Sequence, residues 1–336
     1  MNKKILSFVA AAAVAIGAMT GCSGNGAAST GTSSAAKAGS AWPAKPVSIY
    51  VPAKAGAGTD MHARILAQYI QKKTGKSVTI VNQPDGSGTV AFESVRNAKP
   101  DGNTLLFYHS NLVAAYWTGT YDHTYEDFTN VCITTDNGSQ AFVAAPDAPY
   151  KDLKELVEYA QKNPGGVKTG VQLGGGSHIT MATFENEAGI SLKLVEAGSN
   201  ADKLTAMAGK QLDFTVQDLL TAIQYEKAGK MKILAVGTKD ENYPQYKTCE
   251  EEGYPEIGQR TYYMLHGPKG MDQSVVDAIN DYVKSFAEDP ESQKATEKIG
   301  GTLHYGNQEE TKAWLKSESE RYDKATAAIG TNTRHK

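Results

Sequence analysis

From Trp42 onward, short runs rich in β-branched and aromatic residues alternate with segments whose apolar positions recur every three to four residues, which predicts strand followed by helix along most of the chain. "VSIYV" (47–51) predicts a strand, "MHARILAQYIQKKTG" (61–75) a helix stopped by Gly75, and "SVTIVN" (77–82) a strand. "GTVAFESVRNAKPDG" (88–102) predicts a helix closed by a Pro-Asp-Gly turn, and "NTLLFYH" (103–109) a third strand. Units of this kind imply right-handed crossovers over a mostly parallel sheet.

The aromatic-rich stretch 114–128 is expected to be a loop, and 129–146 to form two runs that carry the chain out of one sheet and into another. A second α/β series follows. Helices are expected over 151–165, 179–189, 201–210 and 219–230, with strands over 167–172, 191–196, 212–217 and 231–237. "TYYMLHGP" (261–268) predicts a returning strand, and 273–289 and 309–329 predict amphipathic helices. If those helices pack back on the first module, the chain makes two α/β lobes, 42–144 plus 264–330 and 145–263. Crossing segments near 142–147 and 258–266 would join them, with a cleft between.

The N-terminus has a different pattern. "MNKK" followed by the apolar "ILSFVAAAAVAIGAM" reads as a secretory signal over 1–21. It ends in Met19-Thr20-Gly21-Cys22, which resembles the lipobox of bacterial lipoproteins with Met19 in place of the usual leucine, so Cys22 is the expected lipidation site. Residues 22–41, small and polar without periodicity, suit a flexible tether from a membrane anchor. The chain is thus expected to be exported and to face the periplasm or the outer surface.

Composition narrows the class. The 336 residues are 40% hydrophobic and 21% charged with a net charge of -3, which suits a globular chain and gives no basic face for nucleic acid. Cys132 and Cys249 are an even pair in an oxidising compartment, which allows a disulfide; two separately buried thiols are the reading favoured. No metal-ligand spacing such as CxxC or HExxH occurs, and no cofactor is implied.

Candidate chemistry centres on glycine-rich turns. Gly56-Ala57-Gly58 begins like a dinucleotide fingerprint, but Met61 stands where the third glycine belongs. Gly75-Lys76-Ser77 imitates a P-loop end, yet Ile70 replaces its first glycine and the triplet precedes a strand. Ser177 lacks a nucleophile-elbow spacing, and His62, His109, His123, His178 and His266 are scattered, so no catalytic set is evident.

What remains is a series of small-residue turns opening helices: 54–60, 83–89, 174–178 and 197–202. Helix-initial amides lack intrahelical partners and carry partial positive charge, so such turns can hold a carboxylate without arginine. Thr59, Ser177 and Ser199 would add hydroxyl donors, and Asp60 would cap the first helix. Three function classes compete: a binding protein, an enzyme of the same architecture, and a sensor handing its closed form to a signalling partner.

From Trp42 to about Tyr322 the sequence resembles the extracytoplasmic solute receptors of tripartite tricarboxylate transporters, the TctC or Bug family. The matching stretches are "WPAKPVSIYVPAKAGAGTD", "VTIVNQPDGSGTVAFESVRNAKPDGNTLLF", "VKTGVQLGGGSHITMATFENEAGI" and "KAGKMKILAVGT", in family order. The resemblance implies a type II periplasmic-binding-protein fold, acting as a monomer, that closes on a small organic carboxylate and presents it to membrane permease subunits. Carried over by position, the ligand residues are Ala55, Gly56, Ala57, Gly58, Thr59 and Asp60 in the first loop and Gly174, Gly175, Gly176 and Ser177 in the second. His109, Ser110 and Asn111 follow the third strand. Departures from the family pattern add Ala53 and Lys54, where a ring is lost and a cation gained at the loop mouth, and Gln217-Asp218, where the family often has Asp-Asn. The expectation is that Ala53 enlarges the cleft and Lys54 attracts a further negative group.

Overall fold

The computed structural model describes residues 42–328 together with 330 and 334; the expected signal segment, the lipidation site Cys22 and the tether lie outside the described residues. The first series forms as the pattern predicts: β1 (Val47–Val51), α1 (Gly58–Thr74), β2 (Val78–Asn82), α2 (Thr89–Arg96) and β3 (Thr104–Tyr108). β1 lies between β2 and β3, parallel to both. α1 buries Ala63, Leu66, Ala67 and Ile70, one face at helical spacing, and ends where Gly75 turns left-handed and its amide donates to the Gln71 carbonyl.

Two expectations change in the middle of the chain. The start of the expected loop, 114–117, belongs instead to a helix, α3 (Asn111–Trp117), and the two expected runs after it are one strand, β4 (Phe128–Ala144). The polar run inside β4 reads as a break in sequence, but Asp136 is held by Arg260 at 2.7 Å and Asn137 by Asp218, so the backbone continues.

The second series is α4 (Leu153–Lys162), β5 (Lys168–Val171), α5 (Gly176–Ala188), β6 (Lys193–Glu196), α6 (Asn200–Ala208), β7 (Phe214–Asp218), α7 (Leu219–Lys227) and β8 (Lys232–Val236). The chain returns through β9 (Arg260–Pro268), α8 (Gln273–Ala287), α9 (Pro290–Glu297), β10 (Thr302–Gly306) and α10 (Gln308–Ala328). The pattern of apolar positions does not predict α9 and β10: one is almost wholly polar, the other short.

β4 is the shared strand. Its first part pairs antiparallel with β9 and β10, and β9 continues through β3 to β1 and β2. Its last part pairs antiparallel with β7 and β8, and β7 continues in parallel to β5 and β6. The change of partners falls between Ser139, opposite Arg260, and Gln140, opposite Asp218. Each part has its own core: Ile49, Leu66, Phe107, Leu265 and Phe286 in one, Phe142, Leu156, Val171, Phe184 and Phe214 in the other. Cys132 belongs to the first core and Cys249 to the second; both are buried free thiols, the favoured of the two expectations.

A smaller cluster joins the parts. Val113 and Ala114 of α3, Ile179 of α5, Met264 of β9, and Leu315 and Tyr322 of α10 pack together. Among the described residues no helix is long and apolar enough to cross a membrane.

Candidate functional site

The loop after β1 is built around Asp60. This residue is buried and sits in the first turn of α1, not at its cap as expected; the N-cap is Ala57, whose side chain offers no acceptor. One Asp60 oxygen accepts from the Gly56 amide at 2.8 Å and Arg64 Nε at 2.9 Å, the other from Asn82 Nδ2 at 2.8 Å. Burial raises its pKa, but Arg64, the Gly56 amide and Asn82 outweigh that and hold it below the usual carboxylate range. Asp60 is therefore a fully engaged anchor.

Its neighbours are left open. The Ala57 amide donates to the Lys54 carbonyl at 3.1 Å and Met61 makes the first full helical bond. Among the described residues the amides of Gly58, Thr59 and Asp60 meet no acceptor. Of the other helices, α4, α6, α8 and α9 are capped by Asp152, Ser199, Asp272 and Asp289, whereas α2, α3, α5 and α7 have no side-chain cap. Ala53 packs against the first core, while Ala55 and Gly56 are exposed. Lys54 is 73% exposed and lies 3.8 Å from Asp202, so the cation expected to attract ligand already has a carboxylate beside it.

The turn after β3 meets the second glycine loop directly. His109 Nδ1 accepts the Asn111 amide at 3.3 Å, and the ring packs against Tyr108 and Tyr263. Burial pushes this imidazole down to about 4, so it is neutral at physiological pH. Asn111 Oδ1 accepts the Gly176 amide at 3.1 Å, and Thr118 Oγ1 donates to the Gly174 carbonyl at 2.9 Å. A Cβ at Gly176 would lie 2.9 Å from both Asn111 Oδ1 and Tyr322 Oη, so this close approach requires glycine. Ser110 is buried 3.5 Å from the same tyrosine hydroxyl.

The second loop is accordingly less open than expected. Gly174 donates to His178 Nδ1 at 3.2 Å and Gly175 to the Gln172 carbonyl at 2.9 Å, and Ser177 Oγ accepts the Gln172 amide at 2.9 Å. Gly176 and Ser177 are the first residues of α5, not loop residues. The turn at 197–202 is closed as well: Ser199 caps α6, accepting from the Asp202 amide while its hydroxyl donates to the Asp202 carboxylate at 2.6 Å. In the turn at 83–89, Gly88 faces Pro52.

At the end of β7, Gln217 is buried, with Nε2 donating to the Asn200 carbonyl at 3.1 Å and Oε1 without a partner. The Asp218 carboxylate accepts Asn137 Nδ2 at 2.9 Å and Asn200 Nδ2 at 3.0 Å. Burial raises its pKa against the pull of Asn200, Lys203 and Asn137. Tyr263 ties this end to α1. A Cβ at Gly58 would sit 3.5 Å from its hydroxyl, and burial followed by the Asp218 charge pushes the phenol's pKa up.

Asn137, Asn200, Lys203 and Tyr322 do not stand out in the sequence. One signal is available for Lys203: it lies four residues before Met207, on the buried face of α6. Among the described residues no three His, Cys, Asp or Glu side chains are grouped to hold a metal.

The model of the tripartite tricarboxylate transporter family receptors, TctC, matches residues 62–331. Protein BugT of Bordetella pertussis is 22% identical over 288 residues, 84% of this chain and 88% of that protein. The structure of the periplasmic binding protein BugD superposes with a TM-score of 0.76 at 25% identity, covering 87% of this chain and 99% of that one. That of R. palustris Rpa4515 with adipate gives 0.77 at 24% identity, covering 86% and 98%. The chain thus belongs to the TctC or Bug family of periplasmic solute receptors and has their type II periplasmic-binding-protein fold.

Proposed function

We propose that this receptor captures a small organic carboxylate, without making or breaking a bond, and delivers it to the membrane subunits of a tripartite tricarboxylate-type transporter. It works as a monomer held at the membrane through a lipid on Cys22, and residues 42–144 plus 264–330 close against 145–263. The observation that carries this reading is the uncapped start of α1, where the amides of Gly58, Thr59 and Asp60 converge with no acceptor. The adipate bound to the R. palustris relative agrees with an anionic ligand. In this reading Ala53 to Gly58 shape the first jaw, Thr59 lines it and Asp60 braces it. His109, Ser110 and Asn111 set its depth, Gly174 to Ser177 form the second jaw, and Gln217 and Asp218 close the far end.

A thermal-shift panel of mono-, di- and tricarboxylates against neutral solutes tests the reading. A ligand at 100 times its dissociation constant adds about 2.7 kcal/mol to stability. A shift confined to carboxylates is expected; a shift with neutral solutes alone contradicts the reading. Cys22→Ser should release the protein from the membrane fraction, and retention there would exclude the anchor.

A further inference from the structure

The ammonium of Lys203 is buried: the residue is 2% exposed, and Nζ donates to the Val216 carbonyl of β7 at 3.1 Å. Its place on α6 gives the helix nothing, because a cation within the first turns opposes the helix dipole. The charged groups around it are Asp218 at the end of β7 and Glu196 at the end of β6. On its own helix Asp202 is engaged by Ser199, and Tyr263 of β9 adds a neutral phenol beside Asp218. Asp218 in turn is fixed by two asparagine amides, which satisfy its lone pairs without cancelling its charge.

An uncompensated Asp218 at that position would repel a carboxylate ligand and attract a ligand ammonium. We propose that Lys203 is a specificity-determining residue: it supplies from within the protein the cation that Asp218 would otherwise draw from the ligand, so the receptor takes carboxylates lacking an ammonium group in preference to amino acids. This rests on the carboxylate-receptor reading above and adds the ligand's charge pattern to it. Burial lowers the Lys203 pKa to about 8, with Asp218 and Glu196 resisting, so the ammonium persists at neutral pH.

The test is calorimetric titration at pH 7 of succinate and aspartate, a pair differing by one ammonium group. The wild type should bind succinate more tightly. In Lys203→Met, which keeps the apolar stem, the aspartate-to-succinate affinity ratio should rise at least about tenfold, and Lys203→Met/Asp218→Asn should return it to the wild-type value. Asp218→Asn alone, nearly isosteric, should tighten succinate and weaken aspartate, and it carries the test if the methionine variant does not fold. Ratios within about twofold of wild type in the two single variants, in a protein that binds succinate, overturn the role of Lys203 and leave the receptor reading intact. A wild type that prefers aspartate overturns it too. A wild type that binds no carboxylate of any kind overturns both.

Discussion

Adding a cap at Ala57 should make the protein more stable and disable it. Ala57 already has N-cap geometry, φ -71° and ψ 162°, and α1 begins beside it with three amides that meet no protein acceptor. A serine there can accept from the Thr59 or Asp60 amide, and replacing alanine by serine at an N-cap contributes about 1 kcal/mol. For a chain of this size that raises the melting temperature by about 2 °C. Ala57→Asp puts a carboxylate where the ligand's carboxylate is proposed to sit, so its ligand-induced shift should collapse. The wild type should keep a shift of about 2.7 kcal/mol at 100 times the dissociation constant. Differential scanning fluorimetry with and without ligand reads both effects. A fully retained ligand shift in Ala57→Asp refutes the assignment of the anion site. A ligand-free Ala57→Ser less stable than wild type refutes the claim that those amides are open. The expected trade of function against stability is typical of binding sites, where unsatisfied groups are kept for the ligand.

Two further predictions concern the supports of the site. Gly88 has φ +96°, and a Cβ there would lie 2.7 Å from Pro52 Cβ, so Gly88→Ala should destabilise the chain by about 2 kcal/mol in urea denaturation; an unchanged midpoint contradicts this. Lys203 titrates at about 8 when folded against 10.5 as its ordinary value, so between those pH values the unfolded chain holds more protons and stability rises with pH. The net cost of the ammonium in the fold, about 3 kcal/mol, is fully present below pH 8 and relieved toward pH 10.5. The stability of Lys203→Met relative to wild type should therefore fall as pH rises through that window, and parallel curves would exclude it.

The repeating strand-helix rhythm is legible because one-sided burial imposes it: the spacing of Ala63, Leu66, Ala67 and Ile70 is enough to mark α1 in the sequence. α3 is not legible because Leu112, Val113, Ala114 and Ala115 are buried together, so no polar face marks the helix. That helix matters at the site. Asn111 and Thr118, which engage Gly176 and Gly174, stand at its two ends, so without α3 the second glycine loop reads as open. The first loop is legible as an anion turn from its glycines, but the division of labour within it is not. That division depends on Arg64 and Asn82, which saturate Asp60 from other turns and elements. Lys203 shows the same limit: a lysine on a helix face reads as solvated until the fold places the Val216 carbonyl against it and the Asp218 charge in its neighbourhood.

In the proposed function the open amides at the start of α1 hold the ligand's carboxylate. Amide nitrogen–proton correlation spectra of the isotopically labelled protein, titrated with a carboxylate it binds, test this at the atoms concerned. The Gly58, Thr59 and Asp60 amide protons should move downfield in step with saturation and stay unmoved in Ala57→Asp. Saturated binding with those three signals unchanged in the wild type would contradict it.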